Sequence, residues 1–299
     1  RAGAGGDRPV PPGFLFDKDA YANIGSQYDT GGPQAFKRLS LRLYGGYNHM
    51  AAGDVNAGAD YFFELLEVYE AEGYGTFTGG YKPLHGGYNF GADLIYQITP
   101  SIGVGLGAGY MRSSADSLAT FTDEDFSVDI TTDVMLSAMP IRLGLFLDVP
   151  LGGKLNLTAN VGAAYYLGLK LDATQGLDYP DDSWQSMNVS GTERSGLDIG
   201  FHGSLGFEYK FTPTMGFFVE AVGRYAKLKN FETVTGISEY SGGSPDTVDG
   251  KLYIVTETIG TTEIDMFTIE ETPPTEGDFR EPKIDLTGFS LQAGIRIRF

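Results

Sequence analysis

Two histidines and two serines are the residues whose types would suit nucleophilic catalysis. His49 and His85 flank the first long acidic interval, and Ser113 and Ser114 follow further along the chain. A histidine that faces a serine and an acid can activate the hydroxyl for hydrolysis or acyl transfer. No motif fixes such a geometry here, so the alternative is that His49 and His85 are two histidines on neighbouring strands. His202 better fits a hydrogen-bonding role inside the fold, and we predict no catalytic residue.

Clustered carboxylates are the candidate ligands for a cation. Ca²⁺ and Mg²⁺ are hard cations that take oxygen ligands, and the stretches 123–133 and 178–182 are rich in acidic residues. Two interpretations stay open, a Ca²⁺ or Mg²⁺ site and ordinary solvated loops. The candidate metal ligands are Asp123, Asp125, Asp129, Asp181 and Asp182. We predict no cofactor beyond such an ion.

The stretch from Asp54 to Asp60 resembles the start of a calcium-binding EF-hand loop. It lacks an oxygen ligand at the fifth position and glycine at the sixth, and Leu65 stands where the twelfth-position glutamate would be. We therefore exclude an EF-hand. Residues 57–72 instead have the apolar stripe of an amphipathic helix, and Gly73 is its predicted stop.

Eight stretches of the chain alternate between apolar and polar residues, and the eleven charged residues within them all fall on one face. In the last of them Leu291, Ile295 and Ile297 alternate with small, polar or charged residues, which is the period-two pattern of a β-strand with one apolar face. The pattern predicts an all-β fold, an eight-stranded antiparallel up-and-down β-barrel. The stretches are 38–48, 88–98, 102–111, 139–149, 155–169, 197–209, 215–225 and 289–299.

The charged faces are predicted to point into the barrel. So many charges could not line an oily pocket unless they were paired, so the apolar faces must look outward, to lipid. Eight strands enclose a space just wide enough for side chains, and paired charges there would form a plug. The predicted lumen network is Arg38, Arg42, Asp93, Arg142, Asp148, Asp198, Glu208, Glu220, Arg224, Arg296 and Arg298.

The connections alternate between short and long. Membrane barrels have short periplasmic turns and long extracellular loops, so the four long intervals are predicted to be extracellular, and they hold 30 of the 39 Asp and Glu residues. In the last interval, Lys251–Ile259 and Glu263–Glu270 predict a projecting hairpin. Residues 38–299 are predicted to form the transmembrane barrel, and residues 1–37, with their Pro and Gly, a periplasmic arm. The long intervals are 50–86, 114–137, 171–195 and 229–285.

Aromatic residues on the outward faces gather at both ends of the strands. Amphipathic rings favour the headgroup regions of a bilayer. The last strand, roughly 33 Å long, would span about 25 Å when tilted, which is the height of the apolar band of outer-membrane barrels. The predicted membrane girdles are Tyr47, Tyr88, Tyr96, Tyr110, Tyr165, Tyr209, Phe217, Tyr225 and Phe299.

Composition excludes several other classes of protein. A chain of 299 residues can form one barrel domain. The net charge of −18 argues against nucleic acid as a partner, because phosphate binding needs a basic surface. The absence of cysteine excludes disulfides and thiolate metal sites. No stretch approaches the roughly 18 apolar residues that a membrane-spanning helix needs.

These features resemble the OmpA/OmpX-like family of small outer-membrane β-barrels over about residues 38–299. The resemblance rests on the eight strands, the three short turns and the ending Gly-Ile-Arg-Ile-Arg-Phe299. It implies that the chain lies in the bacterial outer membrane, beside lipid and lipopolysaccharide. In the same resemblance, Ile295, Ile297 and Phe299 match the terminal signal that the barrel-assembly machinery recognises in its clients.

The sequence favours a non-enzymatic function. We expect a structural or surface-interaction protein that presents acidic extracellular loops from a side-chain-plugged barrel, with self-association into a homo-oligomer or lattice as one form of that role. The alternative is a small-molecule conduit or binder of the outer membrane. A lipid-modifying barrel enzyme comes third, and it requires a histidine, a serine and an acid within hydrogen-bond reach of one another.

Overall fold

The computed structural model describes residues 37–193, 199–228, 231, 233–259, 261–275 and 278–299, so all of the predicted arm except Lys37 lies outside it. Within these residues the chain forms one helix and fifteen strands. The helix is α1 (Asp54–Ala71). The strands are β1 (Leu39–Gly53), β2 (Thr76–Gly80), β3 (Gly86–Gln97), β4 (Ile102–Thr122), β5 (Ser127–Gly152), β6 (Leu155–Asp178), β7 (Trp184–Glu193), β8 (Ile199–Lys210), β9 (Met215–Tyr225), β10 (Lys227–Leu228), β11 (Thr233–Tyr240), β12 (Asp246–Ile259), β13 (Thr262–Glu270), β14 (Asp278–Arg280) and β15 (Ile284–Arg298).

Eight of the strands pair antiparallel in one closed ring. The order is β1, β3, β4, β5, β6, β8, β9 and β15, and β15 returns to β1. At the closure Ile295 lies opposite Leu43 on one side and Phe217 on the other. A closed ring leaves none of these strands with an unpaired edge. Each of the eight alternating stretches of the sequence lies in one of these strands, apart from residues at their ends.

The two faces of the ring have the opposite polarity to those of a water-soluble sheet. Leu143 and Val161 point outward and are 59% and 62% exposed, whereas Arg42 and Arg296 point inward and are only 3% and 2% exposed. Because successive residues of a strand point to opposite faces, this contrast follows directly from the alternation in the sequence. The ring therefore carries an apolar outer surface around a charged interior.

Beyond the ring, the strands continue into a second sheet region that we call the crown. It consists of α1, β2, β7, β11 to β14, and residues 113–136 and 171–178 of β4, β5 and β6. The interval 114–137, predicted as a loop, is instead a hairpin in which β4 and β5 stay paired as far as Thr122 and Ser127. In the interval 171–195, β6 runs on to Asp178 and pairs with β7.

Low contrast between neighbouring residues explains why these extensions look like loops in the sequence. Ser113, Ala115 and Ser117 on the inner face of β4 are buried, and Ser114 and Asp116 between them are exposed. The period of two thus continues, but small and polar residues replace large apolar ones.

The hairpin predicted at Lys251–Ile259 and Glu263–Glu270 is confirmed, because β12 pairs with β13 from Lys251 and Glu270 to Ile259 and Thr262.

Apolar clusters fill the crown side of the interior. One contains Met50, Met111, Leu136, Leu171 and Leu286, all buried, and the other contains Phe63 and Leu66 of α1 packed on β4 and β5. The helix begins three residues before the predicted start at 57 and covers this second cluster. No helix among the described residues is both long enough and apolar enough to cross a membrane.

Acidic side chains on α1 lie beside this apolar packing. Asp60 is followed at helical spacing by Glu64 and Glu67. Burial raises the pKa of Asp60 to about 6, and the charges of Glu64 and Glu67 act in the same direction. Burial, with the charge of Asp60, also raises the pKa of the Tyr81 hydroxyl, so the neutral forms of both groups are favoured. Ionised Asp60 therefore costs the folded crown stability.

We expect Asp60→Asn to raise the thermal unfolding midpoint more at about pH 8 than at about pH 4. The folded-state pKa of Asp60 is raised. Its protonated side chain therefore contributes stability that is complete below the unfolded-state pKa and is lost as the pH rises through about 6. Circular dichroism of the lipid-reconstituted protein measures this. Glu72→Gln, at an exposed residue just past the end of α1, is the control. An equal rise of the unfolding midpoint at both pH values would contradict the raised pKa of Asp60.

Candidate functional site

One group of charges fills the ring near its short turns. The Arg296 guanidinium lies 2.8 Å from Asp148 Oδ2 and 3.3 Å from Glu208 Oε2, and Arg298 lies 2.6 Å from a Glu208 oxygen. Gln97 donates to Asp148 Oδ2 at 2.9 Å. We call Asp148, Glu208, Arg296 and Arg298 the end layer. Three ring strands, β5, β8 and β15, supply its charges.

A second group, the middle layer, lies further along the same interior and consists of Arg42, Asp93, Arg142 and Glu220. Arg42 Nη2 lies 2.8 Å from Glu220 Oε1, and Arg142 Nη2 lies 2.6 Å from Asp93 Oδ1. Arg42 also lies over the Phe218 ring at 3.9 Å, a cation–π contact. The strands β1, β3, β5 and β9 supply these four side chains.

Each layer is electrically balanced. The end layer has two arginines and two carboxylates, and so does the middle layer. A buried charge without a partner would cost several kcal/mol, whereas a paired and hydrogen-bonded set can be accommodated. Balance within each layer lets the ring hold these eight charges in a narrow space.

Arg224 forms the boundary between the charged interior and the apolar clusters. Its guanidinium donates to Leu286 O at 2.6 Å, to Asn48 Oδ1 at 2.9 Å and to His49 O at 3.1 Å. Asn48 in turn contacts Ser290 and Ser113. These partners are neutral oxygens, so Arg224 is held by dipoles where Arg42 and Arg296 are held by carboxylates.

Besides the two layers and Arg224, the predicted lumen network includes Arg38 and Asp198. Arg38 is exposed, and its guanidinium donates to Tyr96 Oη at 3.1 Å on the outer side of the ring. This corrects the prediction: Arg38 precedes the first residue of β1, so the alternation no longer fixes its direction. Asp198 lies outside the described residues.

Polar residues that the sequence analysis did not select complete the network. Tyr44 accepts from Arg142, Gln292 donates to Glu220, and Ser40 accepts from Arg296 at 3.1 Å. All three stand on the same inward rows as the predicted charges. Parity along each strand was therefore the signal that could have identified them.

The histidines and serines do not form a charge relay. His49 and His85 contact each other ring to ring at 5.1 Å, and His49 also contacts Phe289. Ser113 is buried on the inner face, where it accepts from Asn48. In the described part of the chain, neither His49 nor His85 hydrogen bonds to Ser113 or Ser114, because His49 and Ser113 lie on opposite faces of the sheet. His202 lines the interior, as predicted, but its Nδ1 has no hydrogen-bond partner among the described residues, so the predicted hydrogen-bonding role is not confirmed.

Three of the five predicted metal ligands accept hydrogen bonds from nearby protein groups, two of them in turns. Asp123 Oδ1 accepts from the amides of Asp125 and Phe126, and Asp129 accepts from Thr120. Asp181 accepts from the Ser183 amide. Within the residues that the structure covers, no three His, Cys, Asp or Glu side chains are grouped as metal ligands. The structure therefore does not bring the five candidate aspartates together.

The predicted girdle residues lie on the outer surface of the ring. Tyr110 and Tyr165 are half-buried, and Tyr110 packs against Phe90 at 5.4 Å. The other seven are exposed, namely Tyr47, Tyr88, Tyr96, Tyr209, Phe217, Tyr225 and Phe299. Of the predicted assembly signal, Ile295 and Phe299 are exposed and Ile297 is half-exposed.

A cavity of about 40 Å³ lies between the middle layer and Arg224. Its lining includes Tyr44, Arg142 and His202 from the interior, and Tyr110 and Pro140 at the wall. Near this wall the pairing of β4 and β5 skips from Ala108–Ile141 to Met111–Ala138, and proline has no amide hydrogen to donate. The lining is mixed, with apolar residues beside polar ones, and a space of this size has room for a few water molecules.

Comparison with known proteins gives a family and a general likeness. The family model described as outer membrane protein beta-barrel domain matches residues 42–247. No curated protein matches the chain. Among solved structures, it is similar to the outer membrane protein OprG from Pseudomonas aeruginosa, with 13% identity, 88% and 97% of the two chains covered and a TM-score of 0.36. It is also similar to CarO from Acinetobacter baumannii, with 15% identity, 89% and 100% covered and a TM-score of 0.30.

We predict that Arg42→Met lowers the free energy of unfolding by about 3–5 kcal/mol, because Glu220 then keeps a buried charge without its partner. Arg42→Met combined with Glu220→Gln restores the balance of the middle layer and recovers most of the loss. Urea unfolding in lipid vesicles measures both.

Arg38→Met is the matched control for Arg42→Met. Arg38 is exposed, so its loss should change the free energy of unfolding by no more than about 0.5 kcal/mol. If Arg42→Met costs no more than this control, the middle layer does not stabilise the ring.

Proposed function

Because the chain belongs to the family of outer membrane protein β-barrel domains, we propose that it is a closed, eight-stranded barrel of the OmpA/OmpX-like kind with a structural or surface-interaction role. The family places the protein in the lipid of the bacterial outer membrane. The closed ring of eight paired strands supports the strand number. The crown is the part of the molecule that meets partners.

The balanced layers of the interior are the observation that carries this proposal. Arg42, Glu220, Arg296 and Glu208 are each at most 3% exposed, so the narrow interior is occupied by side chains. Eight strands leave little more room than these side chains need. The apolar cluster around Met50 and Leu286 closes the interior again on the crown side. A barrel filled at three successive levels is a scaffold and not an open pore.

The outer surface supports an orientation in the membrane. Exposed aromatic residues lie at both ends of the ring, with Tyr209 and Phe299 near the short turns and Tyr47 and Tyr225 towards the crown. Aromatic belts mark the two membrane interfaces. We therefore place the short turns in the periplasm and the crown outside the cell, as in other outer-membrane barrels.

The partners follow from this orientation. The acidic crown would lie beside lipopolysaccharide. Among the described residues β13 ends the crown sheet and pairs with β12 alone, so its other edge could pair with a second copy in a homo-oligomer or lattice. Ile295, Ile297 and Phe299 would serve as the recognition signal for the barrel-assembly machinery. With a net charge of −18, nucleic acid is not proposed as a partner.

A small-molecule conduit is the second candidate function. The observation in its favour is the break in the β4–β5 pairing near Pro140, beside the cavity of about 40 Å³. A route from the interior to lipid would begin there. The cavity is too small for an organic solute, and Arg142 and Tyr44 occupy the adjoining space, so we favour the closed scaffold.

We expect the purified protein in planar lipid bilayers to give no large, stable conductance steps. Current through the barrel requires a continuous water path, and the end and middle layers interrupt it. A double variant, Asp148→Ala with Arg296→Ala, removes one balanced pair from the end layer. Its conductance is compared with that of the unmodified protein. Stable steps in the nanosiemens range from the unmodified protein would overturn the closed-barrel proposal in favour of the conduit.

A further inference from the structure

A cleft of about 220 Å³ lies in the crown, between α1 and the sheet. Its walls include Tyr61 and Phe62 of α1, Met187 and Val189 of β7, and Met266 and Phe267 of β13. The charged layers lie elsewhere, within the ring. The cleft borders the larger apolar cluster, with which it shares Ala59 and Val189, and it lies in the crown, the part that the proposed orientation places outside the cell.

The helix is held close to the hairpin at one end of the cleft. Gly58 of α1 approaches Phe267 of β13 so closely that a Cβ at residue 58 would overlap the phenyl ring. Ala59 beside it is buried in the larger apolar cluster. Small residues therefore set the distance between α1 and β13 at this end of the cleft. Tyr61 and Phe62, one helical turn further along α1, border the open space.

The size and chemistry of the walls suit a small apolar molecule. A dry cavity of about 150 Å³ in another protein binds benzene, so a space of 220 Å³ has room for one or two rings. None of the lining residues is charged. The polar ones are partly satisfied, since Gln175 donates to Thr132 at 3.2 Å and Thr174 donates to Asn188 at 2.8 Å.

The surroundings of the cleft are acidic. The charge of Glu257 adds to burial in raising the pKa of Tyr61, and Asp265 does the same for Glu64. Arg280, a cation that contacts Asp265, is already paired with that residue at 2.8 Å and with Asp54. A negative field of this kind favours a cationic guest and disfavours a carboxylate or sulfonate.

We propose that this cleft binds a small organic cation that carries one or two apolar rings. The rings of Tyr61, Phe62 and Phe267 supply aromatic faces for a cation, and the thioethers of Met187 and Met266 adapt to different ring shapes. The site goes beyond the scaffold role, because it needs no path through the barrel. If the barrel proved to conduct, the proposed binding site in the crown would be unchanged.

Isothermal titration calorimetry with the full chain in zwitterionic nanodiscs tests the proposal. The probe is 1-naphthylmethylammonium, and 1-naphthaleneacetate provides the same rings with a negative charge. We expect saturable binding of one cation per chain, at least ten-fold tighter than the anion. The absence of saturable heat above that of empty nanodiscs, or equal binding of the two probes, would overturn the proposal.

Two variants locate the binding. Ala173→Phe fills the cleft from β6 and should weaken the cation at least ten-fold, while Ala71→Phe, at an exposed alanine of α1, should leave the affinity unchanged. Met187→Ala removes a wall side chain that is 42% exposed, so it should fold, and it should weaken binding about three-fold. If Ala173→Phe does not fold, Met187→Ala decides. If neither Ala173→Phe nor Met187→Ala changes the affinity, the probe binds elsewhere and the proposed site is refuted.

Discussion

Closure of the sheet within lipid is the constraint on which the rest of the structure depends. When β15 pairs with β1, every ring strand is paired on both sides, and no backbone group at the ring's edge is left to the membrane. Closure also leaves the polar face of each strand only the interior to occupy. The charges there must find partners within a width set by eight strands, which is why the interior consists of balanced layers.

Inward glycines make these layers sterically possible. A Cβ at Gly107 would overlap Asp93 Oδ1, and one at Gly216 would overlap Glu208 Oε1. Each glycine thus leaves space for a carboxylate that projects from the neighbouring strand. The sequence pattern of glycine across from large polar residues follows from filling a narrow interior without gaps or collisions. The arginines then extend across the space between the carboxylates.

The interior changes character along the axis of the ring. The charged end layer and middle layer give way to Arg224 with its neutral partners, and then to the apolar cluster around Met50 and Leu286. The first region fixes the shape of the ring, and the last one supports α1 and the crown sheet. The charged packing thus lies within the ring, while the apolar packing lies beside the crown, whose role in interaction is the one we propose.

The alternation in the sequence predicted the ring strands and the direction of most charges, because a period of two needs only local information. The alternation could not predict which charged residues pair with one another. Arg42 lies directly across from Asp93 on β3 and Arg296 on β15, yet its short contact is with Glu220 on β9. That choice depends on side-chain length and on the register of several strands at once. The extension of β4 into the crown escaped prediction because Ser113, Ala115 and Ser117 give little hydropathy contrast, whereas the crown hairpin of β12 and β13 was predicted.

The accessibility of a single cysteine inside the ring tests the sealed interior most directly, since these 299 residues contain no cysteine. Ser290, which is 1% exposed and contacts Asn48, is the site to change, and exposed Ser244 in the crown is the reference. In vesicles, a methanethiosulfonate carrying a trimethylammonium group should label Ser290→Cys at least a hundred-fold more slowly than Ser244→Cys. Denaturation should make the two rates equal. Comparable rates in the folded protein would show that water and small cations reach the interior, and would contradict the sealed barrel.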